Sequence, residues 1–259
     1  MSDNEWWQSF FHEPWGRIQS GGYAADRTHT ECDRIVKALK PAPGARLLDV
    51  PCGIGRHSIE LARRGFRLLG IDFNPDHVAQ AEDAARTAAV SPRFMVGDMR
   101  DFDCGETFEG AFCYFGSFGY FSEADDRRFL GAVLRTLEPG APFLIEGHLQ
   151  ETLIPVFRPR DWFWAGPPER RLRMLEERRW DFDTGRIDVE WTIGDGTMMK
   201  SQSTSMRIYA YREMKSLLEA VGYEDVRILD AVTGQALDVG ATRVLVLGRA
   251  PASDGGVVR

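Results

Sequence analysis

The run Arg46-Leu-Leu-Asp-Val-Pro-Cys-Gly-Ile-Gly55 constrains the chain more than any other stretch. A short apolar segment closed by an acid, a Gly-x-Gly turn, and then a helical pattern carrying Ile59, Leu61 and Ala62 predict a strand, a tight loop and a helix. Gly53 and Gly55 let the backbone approach a ligand closely, and the helix start beyond them offers unpaired N–H groups. A second apolar run, Phe66 to Ile71, ends in Asp72, where a ribose-binding carboxylate follows a glycine turn. A third, Arg93 to Gly97, leads into Asp98 and Met99. Three successive strands thus finish in an acid, and in open α/β sheets ligands sit beyond those strand ends.

In these motifs residues 27–149 closely resemble the class I S-adenosylmethionine-dependent methyltransferases, and the rest of the chain does so more loosely. The resemblance implies S-adenosyl-L-methionine as cofactor, S-adenosyl-L-homocysteine as its product, and a seven-stranded sheet whose last strand runs antiparallel. It also implies roles for single residues. Asp49, Pro51, Gly53 and Gly55 would face the methionine part, Asp72 with Phe73 the ribose, and Asp98 with Met99 the adenine. Tyr114, at the end of the fourth strand, would be a further cofactor contact. Pro51 stands where the family usually has its first glycine, and a proline donates no N–H to a ligand.

Strands alternating with helices predict a doubly wound, mostly parallel α/β sheet. Asn74-Pro75 and Ser122-Glu-Ala-Asp125 read as helix starts, and Phe108–Phe115 and Pro142–His148 as the fourth and fifth strands. After Gln150 the pattern changes: turn signals at Asp183-Thr-Gly185 and Asp195-Gly196 predict an antiparallel meander inserted as a substrate cap. The expected organisation is an N-terminal aromatic lid helix (1–26), the cofactor core (27–149), the cap (150–209), a helix with two last strands (210–250) and a disordered tail (251–259). Trp6, Trp7, Phe10, Phe11 and Trp15 recur at helical spacing, which fits packing on the body, contact with substrate, or both.

The net charge of −7 gives no broad attraction to phosphate backbones or anionic membranes, so the expected partner is a small-molecule methyl acceptor, with no nucleic acid and no membrane. Cys32, Cys52, Cys104 and Cys113 lack metal-ligand spacing, which predicts free thiols, no metal and a reducing cytoplasm. The acidic N-terminus has no long apolar run and predicts neither a signal peptide nor a membrane span.

A sulfonium methyl group is already electrophilic, so the protein has to align a nucleophile and exclude water. If the acceptor arrives protonated, His148 at the end of the fifth strand is the expected base, with Glu146 orienting it and Tyr209 holding the acceptor. Tyr23, Phe118, Tyr120, Trp162 and Trp164 are the expected substrate contacts. Two other readings use the same turn. A protein of this fold could bind the cofactor without transferring its methyl group. A nicotinamide oxidoreductase would need a third glycine where the chain has Arg56-His57-Ser58.

Overall fold

A computed structural model describes residues 5–12, 25–166, 171–194 and 199–252. Trp15, Tyr23, the Asp195-Gly196 turn and all of the tail but its first two residues lie outside them. Among the described residues the first elements are the helices α1 (Trp6–Phe10) and α2 (Ala25–Leu39). Strands and helices then alternate: β1 (Arg46–Asp49), α3 (Arg56–Arg63), β2 (Arg67–Asp72), α4 (Pro75–Thr87), β3 (Arg93–Val96), β4 (Gly110–Cys113), α5 (Glu123–Thr136) and β5 (Pro142–Gly147). A short helix, α6 (Gln150–Leu153), leads to β6 (Arg160–Ala165), β7 (Leu172–Asp181), β8 (Arg186–Gly194) and β9 (Met199–Arg207). The chain returns to the first sheet through α7 (Tyr211–Val221), β10 (Glu224–Asp230) and β11 (Val244–Arg249).

The main sheet has seven strands in the order β10-β11-β5-β4-β1-β2-β3. β11 runs antiparallel to β5 and to β10, as expected of the last strand. Side chains alternate across each strand and divide between two cores. Leu48, Ile71, Ala111 and Ile145 pack with Phe129 and Leu130 of α5, while Leu47, Leu68, Phe112 and Leu144 pack with Ile35 and Leu39 of α2. Burial of each large side chain here contributes about 2–3 kcal/mol. The helix starts follow the sequence: Asn74 accepts the Asp76 N–H with Pro75 in the first turn, and Ser122 accepts the Asp125 N–H.

β6 to β9 form a separate antiparallel sheet in sequence order. Its first strand carries no turn signal of its own in the sequence and is set by pairing, Arg160 to Ala165 with Leu172 to Glu177. Four bonds fasten this cap, three to the turn after β4 and one to α1. The Arg207 N–H donates to the Gly119 carbonyl at 2.7 Å, Arg186 donates to the carbonyls of Phe121 (2.9 Å) and Tyr120 (3.2 Å), and the Trp6 indole donates to the Ser205 carbonyl at 2.9 Å. Position 119 has to be glycine, since a Cβ there would lie 2.2 Å from the Arg207 oxygen.

Candidate functional site

A cavity of about 240 Å³ opens at the carboxyl ends of the central strands, between the main sheet and the cap. Its polar end is made by the turns after β1, β2 and β3: Pro51, Cys52, Gly53, Asp72, Phe73, Asp98 and Met99 all reach the wall. Gly53 has φ +54°, and a Cβ added there would meet nothing within 4 Å, so the backbone forms an open cradle. The second glycine serves differently. Gly55, with φ +75°, would place a Cβ 2.7 Å from Ala81 and Phe94, which makes it a packing requirement between β3 and α4.

Asp72 holds this end together. Its Oδ2 accepts the Gly53 N–H at 2.8 Å and its Oδ1 accepts the Asn74 N–H at 3.0 Å. A carboxylate has about four lone-pair sites, so Asp72 keeps acceptor capacity on the cavity side. Asp98 is gripped by the Arg100 guanidinium at 2.6–3.1 Å. Partial burial would raise its pKa, but the bonds from Arg100 prevail and hold it below the usual value. Asp49 does not reach the wall: it is 1% exposed and accepts the Ser58 hydroxyl at 2.7 Å. Burial pushes its carboxyl up to about 7.

The floor carries Arg56, His57, Tyr114, Phe115, Gly116 and Ser117. Glu31 of α2 bonds both Arg56 and the His57 Nε2, the latter at 2.9 Å. Burial opposes ionisation of Glu31, yet its bonds from His57 and Arg56 hold it down to about 2. Burial lowers His57 to about 4 in spite of Glu31, so the imidazole is neutral and donates. Burial also raises the Tyr114 hydroxyl well above its ordinary value. Phe115 sits in the left-handed region at φ +75°, costly for an aromatic residue. It is held there by Glu146, whose carboxylate accepts the Phe115 N–H at 2.9 Å and whose carbonyl accepts the Gly116 N–H at 3.1 Å.

The opposite end is aromatic. Trp6, Trp7, Phe10 and Phe11 line it from α1 and the residue after it, Tyr120 and Phe121 from the turn before α5, and Trp191, Thr204 and Met206 from the cap. The rings interlock edge to face, Trp6 on Tyr120 at 4.8 Å and Trp7 on Phe73 at 4.8 Å, so α1 touches both ends.

The expected catalytic residues are not on this wall. His148 lines a separate small recess, its Nε2 accepting from Arg243 at 2.9 Å and its Nδ1 lying 3.1 Å from the Thr242 carbonyl. Burial and then the Arg243 charge lower it to about 4. It is therefore neutral, but both ring nitrogens are engaged, and no lone pair is left to take a proton. Glu146 is paired with Arg243 rather than with His148. Tyr209 is 2% exposed in the same recess and donates its hydroxyl to Asp126 at 2.8 Å. Tyr23 lies outside the described residues, and among the described expected substrate contacts only Tyr120 reaches the cavity. Phe118 lines the recess and packs on Tyr209 at 5.6 Å, while Trp162 and Trp164 are 58% and 46% exposed on the outermost cap strand.

Sequence reasoning missed His57, His77, Trp191, Thr204 and Met206. Two of these carried a readable signal: Thr204 and Met206 are two apart on a strand and share one face.

With this geometry in view, residues 47–140 match the family model described as a methyltransferase domain. The chain is 28% identical over 204 residues to the dTDP-4-amino-2,3,4,6-tetradeoxy-D-glucose N,N-dimethyltransferase of Saccharopolyspora spinosa, covering 75% of this chain and 77% of that one. It is 29% identical over 228 residues to the dTDP-3-amino-3,4,6-trideoxy-alpha-D-glucopyranose N,N-dimethyltransferase of Streptomyces venezuelae, covering 84% and 90%. Other curated relatives are matched over a smaller share of their own length, down to 15%. Among solved structures, an S-adenosylmethionine-dependent methyltransferase of Clostridium acetobutylicum superposes with a TM-score of 0.75 at 16% identity, covering 95% of this chain and 99% of that one, a likeness of fold.

Proposed function

We propose that this chain, which belongs to the class I S-adenosylmethionine-dependent methyltransferases, methylates an amino group on a small molecule seated in the aromatic end of its cavity. The observation that carries this reading is one cavity with two unlike ends, an acid-and-glycine cradle facing a wall of rings. The cradle fits the cofactor: the open space over Gly53 admits a ligand against the backbone, and Asp72 and Asp98 offer carboxylates to a polar nucleoside. On this reading Asp72 and Phe73 hold the ribose, Asp98 and Met99 the adenine, and Gly53 with the floor around Arg56 and His57 the methionine part.

When bound, S-adenosylmethionine supplies an electrophilic methyl group. The chain's own residues have to bring a nucleophile to it and keep water out. Trp6, Phe10, Tyr120 and Trp191 can do both by enclosing a ring-shaped acceptor, and their faces favour the cationic ammonium product. A neutral amine carries its own lone pair, so the placement of His148, Glu146 and Tyr209 away from the wall suits this acceptor better than a hydroxyl. The two relatives matched over most of their length, both named as amino-sugar N,N-dimethyltransferases, support the same choice.

The negative net charge and the four free thiols support a small-molecule partner, rather than nucleic acid or a membrane, and a cytoplasmic setting. Among the described residues no helix is long and apolar enough to cross a membrane.

Purified protein with methyl-labelled cofactor, offered matched amino and hydroxy sugars, tests the assignment. Label is expected on nitrogen with stoichiometric release of S-adenosylhomocysteine. Transfer to hydroxyls alone would move the acceptor atom, and no release with any acceptor would remove methyl transfer.

A further inference from the structure

His77 is the third residue of α4, 4% exposed, and its ring lines the polar end of the cavity. Neither ring nitrogen has a hydrogen-bond partner among the described residues. The nearest polar contact, Nδ1 to Asp72 Oδ1, is 3.4 Å long and lacks hydrogen-bond alignment. Phe11, with ring centroids 6.4 Å apart, covers another side. Buried polar atoms in folded proteins nearly always find a partner, so an imidazole with two idle nitrogens on a cavity wall points to a ligand.

The chemistry of its neighbour says which ligand group. Asp72 spends one site on each oxygen on the N–H groups of Gly53 and Asn74, and its remaining sites can only accept. A carboxylate therefore satisfies the hydrogens of a vicinal diol but leaves the diol's oxygens without donors. A neutral imidazole supplies one N–H donor and one acceptor. We infer that His77 is the second polar contact of the cofactor's ribose, donating to a ribose hydroxyl oxygen whose hydrogen is taken by Asp72. The inference rests on the proposed cofactor reading and adds to it a residue outside the glycine-and-acid pattern.

Calorimetry with S-adenosylhomocysteine and its 2′-deoxy and 3′-deoxy analogues tests it on wild type, His77→Leu and His77→Gln. His77→Leu should weaken S-adenosylhomocysteine about tenfold, and that loss should vanish for the analogue lacking the bonded hydroxyl. His77→Gln, which keeps a donor, should recover part of it. In ¹⁵N-labelled wild type, the His77 ring nitrogen signals should shift on addition of the ligand. Since the leucine removes two idle polar atoms, its melting temperature without ligand should not fall; if that variant fails to fold, the glutamine variant and the ring signals decide. Unchanged affinity in both variants, or an equal loss for all three ligands, would overturn the ribose contact while leaving the cofactor reading intact. No binding of S-adenosylhomocysteine to wild type would overturn both.

Discussion

At the Asp72 end of the cavity the wall comes from turns that directly follow β1, β2 and β3, whereas at the Trp191 end it comes from α1, the turn after β4, β8 and β9. The first end is built mainly of backbone and carboxylates held by short local bonds, such as the Asp72 bridge to Gly53, 19 residues away. The second is built of rings held by contacts across most of the chain, such as Trp6 to Ser205, 199 residues apart. A group fixed by local geometry suits a constant ligand, and one assembled from distant side chains can change its ligand without disturbing the sheet. On the proposed function, cofactor affinity belongs to one end and acceptor choice to the other.

Variants can break that assignment. The largest effect is expected from Asp72→Ala, which removes a charged acceptor and the anchor of the Gly53 turn. Affinity for S-adenosylhomocysteine should fall about a hundredfold or more by calorimetry. An equal loss from Trp191→Ala would erase the distinction between the ends. Trp191→Ala should instead raise the acceptor KM about tenfold and leave cofactor affinity within about twofold, because what it removes, a ring wall and an indole bond to the Thr204 hydroxyl, lies at the aromatic end.

A smaller effect is expected beneath both ends, where Glu146 bonds the Phe115 backbone and Arg243. Glu146→Gln keeps the shape but weakens the grip on a strained residue, and kcat should drop about tenfold with binding little changed. His148→Gln should cost less than about threefold. Its wild-type pKa of about 4 predicts no acid limb in the rate near pH 6 that is lost with the histidine. Such a limb, or a hundredfold loss, would return His148 to the role of base.

The smallest effect is on stability. Each end rests on a buried acid, Asp49 with Ser58 and Asp126 with Tyr209, and burial raises both to about 7. Between the unfolded value near 4 and about 7 the folded state binds more protons, so each acid makes stability fall as pH rises through that window. Asp126→Asn should therefore gain on wild type between pH 5 and pH 8, by about 2 °C or more in Tm at the upper pH. A constant difference across that range would show that Asp126 is ionised throughout.

Asp72, Asp98 and Met99 were legible because ligands in open α/β sheets sit beyond the strand ends, and these side chains do line the cavity, whereas Asp49 at the end of β1 turns in to Ser58. The same rule pointed to His148 and missed, since it says nothing about coverage. β11 lies antiparallel beside β5 and brings Thr242 and Arg243 onto the imidazole from 94 and 95 residues away. Tyr209 was drawn from its place between cap and helix, but its hydroxyl is claimed by Asp126, a partner 83 residues off. Trp162 and Trp164 resembled a pocket wall by composition alone. An edge strand, set by pairing with β7, leaves them facing outward. His77 carried no sequence signal beyond its place in the first turn of a helix. Its meaning comes from two buried ring nitrogens that find no hydrogen-bond partner among the described residues.

A crystal structure with S-adenosylhomocysteine tests the division of the cavity most directly. The account predicts the ribose hydroxyls on Asp72, the adenine between Phe73 and Met99 within reach of Asp98, and the sulfur directed toward Tyr120 and Trp191. A nucleoside found among Trp6, Phe10 and Trp191, with the Asp72 carboxylate left to solvent, would contradict it.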